Sequence, residues 1–249
     1  NNLAISGYNN NYNRNIITSS IEHKAVLDIC NVIKNKKECL VSFIKPKTNG
    51  ILDIVSIEEA INLETGFISI MHANNEIGTI NPINRIGKLC KKNNIIFHVD
   101  AAQSLGKIKI DVKKMNIDLL SLSGHKIYGP KGIGALYIKN KTSKINLSPI
   151  IVGGGQEKNY RSGTLPVPLI VGFGMACNIC NKEMNKDTQK IKKLTTIVIK
   201  NILNSYPLTN INGCLENRIP GNINFSFPFL NGMSIIRSMP KIAVSSGSA

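Results

Sequence analysis

The sequence predicts an α/β fold built on a large, mixed but mostly parallel β-sheet. Short apolar runs of strand length alternate with longer amphipathic stretches, which is the pattern that a parallel sheet with crossover helices produces. With 249 residues, 42% of them hydrophobic, the chain is long enough to bury a sizeable core. No apolar run in it approaches the roughly 20 residues that a helix needs to span a bilayer.

Six segments have the composition and length of strands, and helices are predicted between and after them. The predicted strands are 15–20, 39–44, 66–73, 94–100, 119–126 and 134–139. Three helices are predicted to begin at His23, Val55 and Ile83. A long helix is predicted after Pro168 and through Glu183, because prolines are tolerated in the first turn of a helix.

A change of composition near residue 185 predicts two domains. Residues 1–184 would form the large domain, and residues 185–249 would begin a smaller α+β domain with a basic amphipathic helix and a strand-like segment at 221–229. The chain begins without methionine and ends on small residues without a helix stop signal. We therefore expect an internal fragment in which both domains are incomplete.

The chain is strongly basic, with 31 Lys and Arg against 15 Asp and Glu and a net charge of +16. The basic residues fall in many short groups, and no helix-turn-helix, zinc-finger or RNA-binding aromatic pattern accompanies them. This pattern indicates scattered surface lysines, so we expect no direct nucleic-acid partner and no membrane partner. The six cysteines resemble no disulfide scaffold, and Cys177 and Cys180 favour thiols buried on a helix over a zinc site, which fits a reducing compartment.

Two ionisable residues stand where predicted strands end, at the sheet edge where α/β proteins bind ligands. Asp100 follows an apolar run and needs a cationic partner such as a protonated ring nitrogen, although it would equally suit a cap for a following helix. Lys126 ends strand 119–126 between a Gly-His pair and a Gly-Pro turn, and partial desolvation would make its amine a nucleophile. An Asp and a Schiff-base Lys are the two groups that pyridoxal 5'-phosphate (PLP) requires.

Several motifs, in order and with matching spacing, resemble the cysteine desulfurases of the IscS/NifS type, which are fold-type I PLP enzymes of the class-V aminotransferase family. They are EHKAVLDIC (22–30), IMHANNEIG (70–78), HVDAAQSLGK (98–107), SLSGHKIYGPKGIGALY (121–137), GGGQEKNYRSGT (153–164) and VSSGSA (244–249). The resemblance implies a PLP-dependent homodimer that converts L-cysteine to L-alanine. It also implies that the sulfur passes as an enzyme persulfide to an Fe–S scaffold protein or another sulfur acceptor, for Fe–S cluster assembly or tRNA thiolation. The implied compartment is a bacterial cytoplasm or a mitochondrial matrix.

The resemblance gives roles to residues around the ring of PLP. Lys126 would be the internal-aldimine lysine and the proton shuttle, and Asp100 would pair with the pyridine nitrogen. His23 would stack on the ring and exchange protons with the substrate, although without the resemblance it indicates only a surface histidine at a helix start. Asn75 and Gln103 would bond the phenolic oxygen or nearby groups of the cofactor.

A second set of residues would hold the phosphate of PLP. Ser123, Gly124 and His125 would form part of its cradle, since a hydroxyl, a closely approaching backbone and an imidazole can all donate to a dianion. Thr164 would reach the phosphate from the other subunit, and it also suits an N-cap before the long helix.

The family's nucleophilic cysteine is expected directly after Ala249, and none of the six cysteines matches it. A phosphate-binding loop upstream and a substrate-binding arginine downstream would also lie outside the sequence, so we expect the 249-residue piece itself to be inactive. The alternatives are a selenocysteine lyase or another fold-type I enzyme, and a decayed homologue without catalytic activity. The SSGSA ending favours the desulfurase, and the set of His23, Asp100, Gln103 and Lys126 argues against decay.

Overall fold

The computed structural model describes residues 1–12, 14–37, 39–139 and 145–246. In chain order its helices and strands are α1 (Asn2–Tyr12), β1 (Asn15–Ser19), α2 (Lys24–Asn35), β2 (Val41–Ile44), α3 (Ile54–Glu59), β3 (Thr65–Met71), α4 (Ile83–Lys92), β4 (Ile96–Asp100), β5 (Leu119–Ser123), β6 (Gly134–Ile138), α5 (Val167–Ser205), β7 (Asn210–Ile211), β8 (Phe225–Ser226) and α6 (Gly232–Ser238). Two short 3₁₀ segments, Gly124–Ile127 and Glu157–Asn159, lie between β5 and α5.

Six strands form one sheet in the order β2-β1-β3-β4-β5-β6. Every neighbouring pair is parallel except β5 and β6, which are antiparallel. The central strand β3 is buried along its whole length, as expected for a parallel strand covered on both faces. The α/β fold with a mixed, mostly parallel sheet is therefore confirmed.

Apolar side chains alternate between the two faces of the sheet and build one core on each. Ile68 and Ile70 of β3 pack with α3 and α4 on one face, whereas Phe67 packs with α1 and α2 on the other. The α4 face is closely packed, because a Cβ on Gly87 would collide with the carbonyl oxygen of Met115. The site residue Asp100 alternates with Val99 and therefore belongs to the α1 and α2 face.

Two local predictions differ from the structure: the first helix was missed, and the end of β5 was placed too late. The helix α1 was not predicted, although its residues Ala4, Ile5 and Tyr8 are buried in the core. The strand predicted to end at Lys126 ends at Ser123, and the chain then turns through Gly124–Ile127. The turn is closed by the carbonyl of Gly124, which accepts hydrogen bonds from the N–H groups of Tyr128 and Gly129.

The long helix is longer than predicted and begins differently. One continuous helix, α5, replaces the two helices that were predicted, one through Glu183 and a basic one after it. The predicted domain boundary at residues 184 and 185 therefore lies inside α5. The division into two domains stays a prediction. Thr164 is not the N-cap of this helix, because Pro166 occupies that position without a side-chain hydrogen bond. No helix in the described parts of the chain is both long and apolar enough to cross a membrane.

Candidate functional site

Asp100 lies at the carboxyl end of β4, and both of its carboxylate oxygens accept hydrogen bonds. The side-chain amide of Asn1 donates to Oδ2 at 2.6 Å, and the backbone N–H of Ala102 donates to Oδ1 at 2.9 Å. The residue is buried, with 6% of its surface exposed. Two donors stabilise a buried carboxylate, so Asp100 can present a negative charge to a cation at this edge. The bond from the Ala102 N–H is also the kind that a helix-capping Asp accepts, but the turn that follows Asp100 is not an α-helix.

Glu22, which no sequence pattern singled out, is a second buried carboxyl group at the same edge. Its Oε1 accepts a hydrogen bond from the N–H of Met71, the residue opposite Asp100 in the β3–β4 register, whereas Oε2 has no partner among the described residues. Burial raises the pKa of Glu22 well above its usual range, and the nearby charge of Asp100 adds to the rise. Glu22 is therefore a neutral acid beside a carboxylate.

Three hydrogen-bonded polar side chains, those of Ser69, His98 and Ser121, form a buried row across β3, β4 and β5 next to Asp100. His98 lies two residues before Asp100 on the same face of β4, and its ring nitrogens lie 2.8 Å from the hydroxyls of Ser69 on β3 and Ser121 on β5. His98 and Ser69 are fully buried. Burial lowers the pKa of His98 well below its usual range, so one ring nitrogen donates and the other accepts. The row joins the three strands that frame Asp100.

Lys126 lies in the Gly124–Ile127 turn and is half-buried. Gly124 has no room for a side chain there, because a Cβ would lie 2.9 Å from Ile133 Cγ2 and 3.2 Å from two carbonyl oxygens. The hydroxyl of Ser123 lies 3.0 Å from Nδ1 of His125. Residues 123–126 therefore combine a hydroxyl, an imidazole, a closely packed glycine and an amine within four positions.

Lys107, a residue to which the sequence pattern gave no role, contacts Gln103. The Lys107 ammonium donates to Oε1 of Gln103 at 3.0 Å. Burial, and after it the positive charge of Lys126, lowers the pKa of Lys107. The residues next to the two lysines are packed together, because a Cβ on Gly106 would lie 2.9 Å from Ile127 Cγ2.

The other predicted residues lie around this centre. His23 is exposed and is the N-cap of α2, where its Nδ1 accepts from the N–H of Ala25, so the interpretation as a histidine at a helix start describes its contacts. Asn75 is half-buried in the turn after β3, next to Asn74, whose amide holds that turn together. Thr164 is exposed before α5, and no described hydrogen bond joins its side chain to the centre.

All six cysteines are free thiols. Cys177 and Cys180 lie on α5 as predicted, half-buried, and burial raises the pKa of both. Within the described residues no group of three or more His, Cys, Asp and Glu side chains is arranged to hold a metal ion. The VSSGSA motif ends in residues 247–249, which lie outside the described residues.

Comparisons with known proteins identify the relatives of this chain. Cysteine desulfurase IscS of Plasmodium falciparum is 49% identical over 255 residues, which cover 100% of this chain and 46% of that protein. The IscS of Ehrlichia chaffeensis is 49% identical over 252 residues, which cover 100% of this chain and 61% of that protein. The solved structure of SspA in complex with cysteine has a TM-score of 0.82 and 40% identity, covering 100% of this chain and 69% of that one.

The chain thus spans about half the length of the first of these relatives and less than two thirds of the second. The family model described as "Aminotransferase class-V" matches residues 1–249, which is the whole sequence. Because the match is complete and its relatives are nearly half identical to it, the chain belongs to the class-V aminotransferase family.

Proposed function

We propose that the full-length protein carrying this chain is a PLP-dependent cysteine desulfurase that converts L-cysteine to L-alanine. The observation that carries the proposal is that Asp100, at the end of β4, and Lys126, in the turn after the neighbouring parallel strand β5, lie at the same edge of the sheet. The relatives named IscS and the neighbour solved with cysteine support this choice of substrate.

The residues at this edge fit PLP in chemistry and in available contacts. Asp100 would hold the pyridine nitrogen, and Lys126 would bind the aldehyde carbon. Ser123, the Gly124 backbone and His125 would donate to the phosphate, at a place where a side chain on Gly124 would not fit. Buried polar atoms without a partner in the described residues, Glu22 Oε2 and Asn1 Oδ1, indicate that this edge is built to meet a further polar group.

Remaining cofactor contacts come from residues at the rim. Asn75 and Gln103 would bond the phenolic oxygen or its surroundings, and His23 would cover one face of the ring. Thr164 of a second subunit would add to the phosphate site, which agrees with its exposure in this chain. Bound PLP would supply an electron-accepting ring that makes the α-proton of an amino acid acidic.

The chain's own residues would then act on the substrate. Lys126 would take the proton from the α-carbon and return a proton to the product, and Asp100 would hold a proton on the ring nitrogen. The thiolate of a cysteine after Ala249 would attack the sulfur of L-cysteine, so that the sulfur becomes a persulfide and the carbon skeleton leaves as L-alanine. An Fe–S scaffold protein or a tRNA-thiolation acceptor would receive the sulfur.

Borohydride reduction of the PLP-loaded full-length protein should attach the cofactor to Lys126 alone. The reagent reduces the carbon–nitrogen double bond between a lysine and an aldehyde, so the modified peptide identifies the reactive amine. Peptide mass spectrometry makes the measurement, with unreduced protein as the control. Attachment to a different lysine, or to none, contradicts the proposed site.

An apolar stripe on α5 supports a homodimer. The side chains of Val167, Val171, Met175 and Ile179 follow one another at four-residue spacing and are 59%, 64%, 58% and 47% exposed. Ile150–Val152 and Leu165 are also exposed apolar residues. An exposed apolar stripe of this kind is typical of an interface, and a second copy of the chain is the partner that would bring Thr164 to the phosphate site.

Val171→Asp should convert the full-length dimer into a monomer, because a carboxylate would be buried without a partner in the interface. Val55→Asp on α3 is the matched control, since Val55 is 57% exposed but lies outside the stripe. Sedimentation measures the mass of each variant. A wild-type monomer, or a V171D dimer, would refute this interface.

We also propose a reducing compartment, either a bacterial cytoplasm or a mitochondrial matrix. The six free thiols support it, because an oxidising compartment favours paired cysteines. Burial raises the pKa of Cys30 to about 12 and raises the pKa of Cys90 well above its usual range, so these thiols stay in the unreactive protonated form.

A further inference from the structure

Lys107 contacts one residue of the proposed PLP site and lies near another. Its ammonium donates to Oε1 of Gln103 at 3.0 Å. It is half-buried, and the charge of Lys126 acts on it after the effect of burial. The proposed function gives Gln103 and Lys126 roles but leaves this second lysine without one.

The packing around Lys107 fixes where its side chain starts. The hydroxyl of Thr188 on α5 donates to the backbone carbonyl of Lys107 at 3.3 Å. The preceding residue, Gly106, has a φ of +70°, and a Cβ there would lie 2.7 Å from Cys180 Sγ and 2.9 Å from Ile127 Cγ2. Because α5 and the Lys126 turn both pack against this segment, the backbone of Lys107 is held where its side chain can reach Gln103.

The contact has a chemical consequence for the Gln103 amide. Because its oxygen faces Lys107, the amide turns its NH₂ group to the other side, where that group can donate to a further acceptor. The phenolic oxygen of PLP is an acceptor and needs a donor. The reverse orientation of the amide would place two acceptors against each other, which is unfavourable in a buried site.

The second consequence is electrostatic. A positive charge near an amine or a protonated imine disfavours the protonated form. A lysine beside another cation is thereby activated as a nucleophile. Lys107 supplies such a charge near Lys126, because the neighbouring residues Gly106 and Ile127 pack against each other and the charge of Lys126 acts on Lys107.

We infer that Lys107 is a positioning residue of the PLP site, which turns the Gln103 amide so that its NH₂ group faces the ring oxygen and places a second positive charge beside Lys126. This inference rests on the proposed function. Other charged groups near this segment are the α5 carboxylates Glu183 and Asp187, which act on the neighbouring Cys180 thiol. They are the same in every variant below, so their influence cancels in the comparison.

The test uses the PLP-loaded full-length protein and the visible absorption of the bound cofactor as a function of pH. Lys107→Met keeps the length of the side chain but removes its charge and its donors, so the pH midpoint should rise by about one unit. Lys107→Arg keeps both properties and should stay near the wild type. Lys109→Met is the matched control, because Lys109 is exposed two residues away. Lys107→Gln is measured beside Lys107→Met so that the result does not depend on the folding of one variant.

The outcomes separate this inference from the proposed function. A wild type that carries PLP on Lys126, with K107M and K107Q midpoints no different from K109M, overturns the role of Lys107 and leaves the proposed function standing. A wild type without a cofactor band overturns both. If Lys107 acts through Gln103, the shift in K107M/Q103M is smaller than the sum of the two single shifts, and an additive result overturns the positioning role.

Discussion

Lys126→Ala in the full-length protein is expected to lower the rate of alanine formation from L-cysteine by about 10²- to 10⁴-fold, which is the usual contribution of a positioned acid–base group. The residue lies in the short turn Gly124–Ile127 at the carboxyl edge of the sheet. The amine of Lys107 is already bonded to Gln103. The rate of alanine release at saturating L-cysteine measures the effect.

Lys131→Ala is the control for the Lys126 variant. Lys131 is exposed and lies five residues further along the same loop, so its removal changes the net charge by the same amount. Its activity should stay within about twofold of the wild type, as for most surface substitutions. A Lys126→Ala enzyme that keeps a rate within about tenfold of the wild type would remove Lys126 from the proposed chemistry.

The sheet could be predicted because its strands are apolar runs of the right length. β3 is buried throughout and β4 is buried up to Asp100, so hydrophobicity alone marks them. The helix α1 carries asparagines among its few apolar residues, and it is stabilised by packing against α2 and β3. That stabilisation comes from residues distant in the sequence, so no local pattern could predict the helix.

The same distinction separates the site residues that were predicted from those that were missed. Asp100 and Lys126 stand where apolar runs end, which is visible in the sequence. Glu22 lies buried against Met71, 49 residues away, from whose N–H it accepts a hydrogen bond, and Lys107 stands out only through its bond to Gln103 and the charge of Lys126. His98 sits inside an apolar run, and only the register of β3, β4 and β5 places serines on both of its nitrogens.

The second large effect is expected on stability, when His98 is replaced in the buried row of Ser69, His98 and Ser121. His98→Leu should lower the free energy of unfolding by about 2–6 kcal/mol, because it leaves two buried hydroxyls without their partner at about 1–3 kcal/mol each. Denaturant unfolding of the protein measures it. Thr18→Val, which removes one buried hydroxyl bonded to the Ser69 carbonyl at 2.8 Å, is the control and should cost about 1 kcal/mol.

The effect of His98→Leu should also depend on pH, with a sign that burial determines. The folded protein keeps His98 neutral because burial lowers its pKa, whereas the unfolded chain takes up a proton below pH of about 6.5. The stability that His98 contributes is therefore present above that pH and is lost as the pH falls. The difference between wild type and His98→Leu should shrink from pH 7 to pH 5, since leucine cannot take up a proton.

The triple variant S69A/H98L/S121A decides whether the hydrogen bonds or the packing of the ring cause the loss. Removing both hydroxyls together with the ring leaves no unpaired polar group, so the triple variant should recover most of the stability that H98L loses. A triple variant as unstable as H98L would show that His98 acts only by filling space, whereas a difference that is constant with pH would show that burial does not keep His98 neutral. Recovery would show that apolar residues can replace the row with little loss of stability. The contribution of the row would then be to specify the strand register that holds Asp100 on the face of the sheet toward α1 and α2.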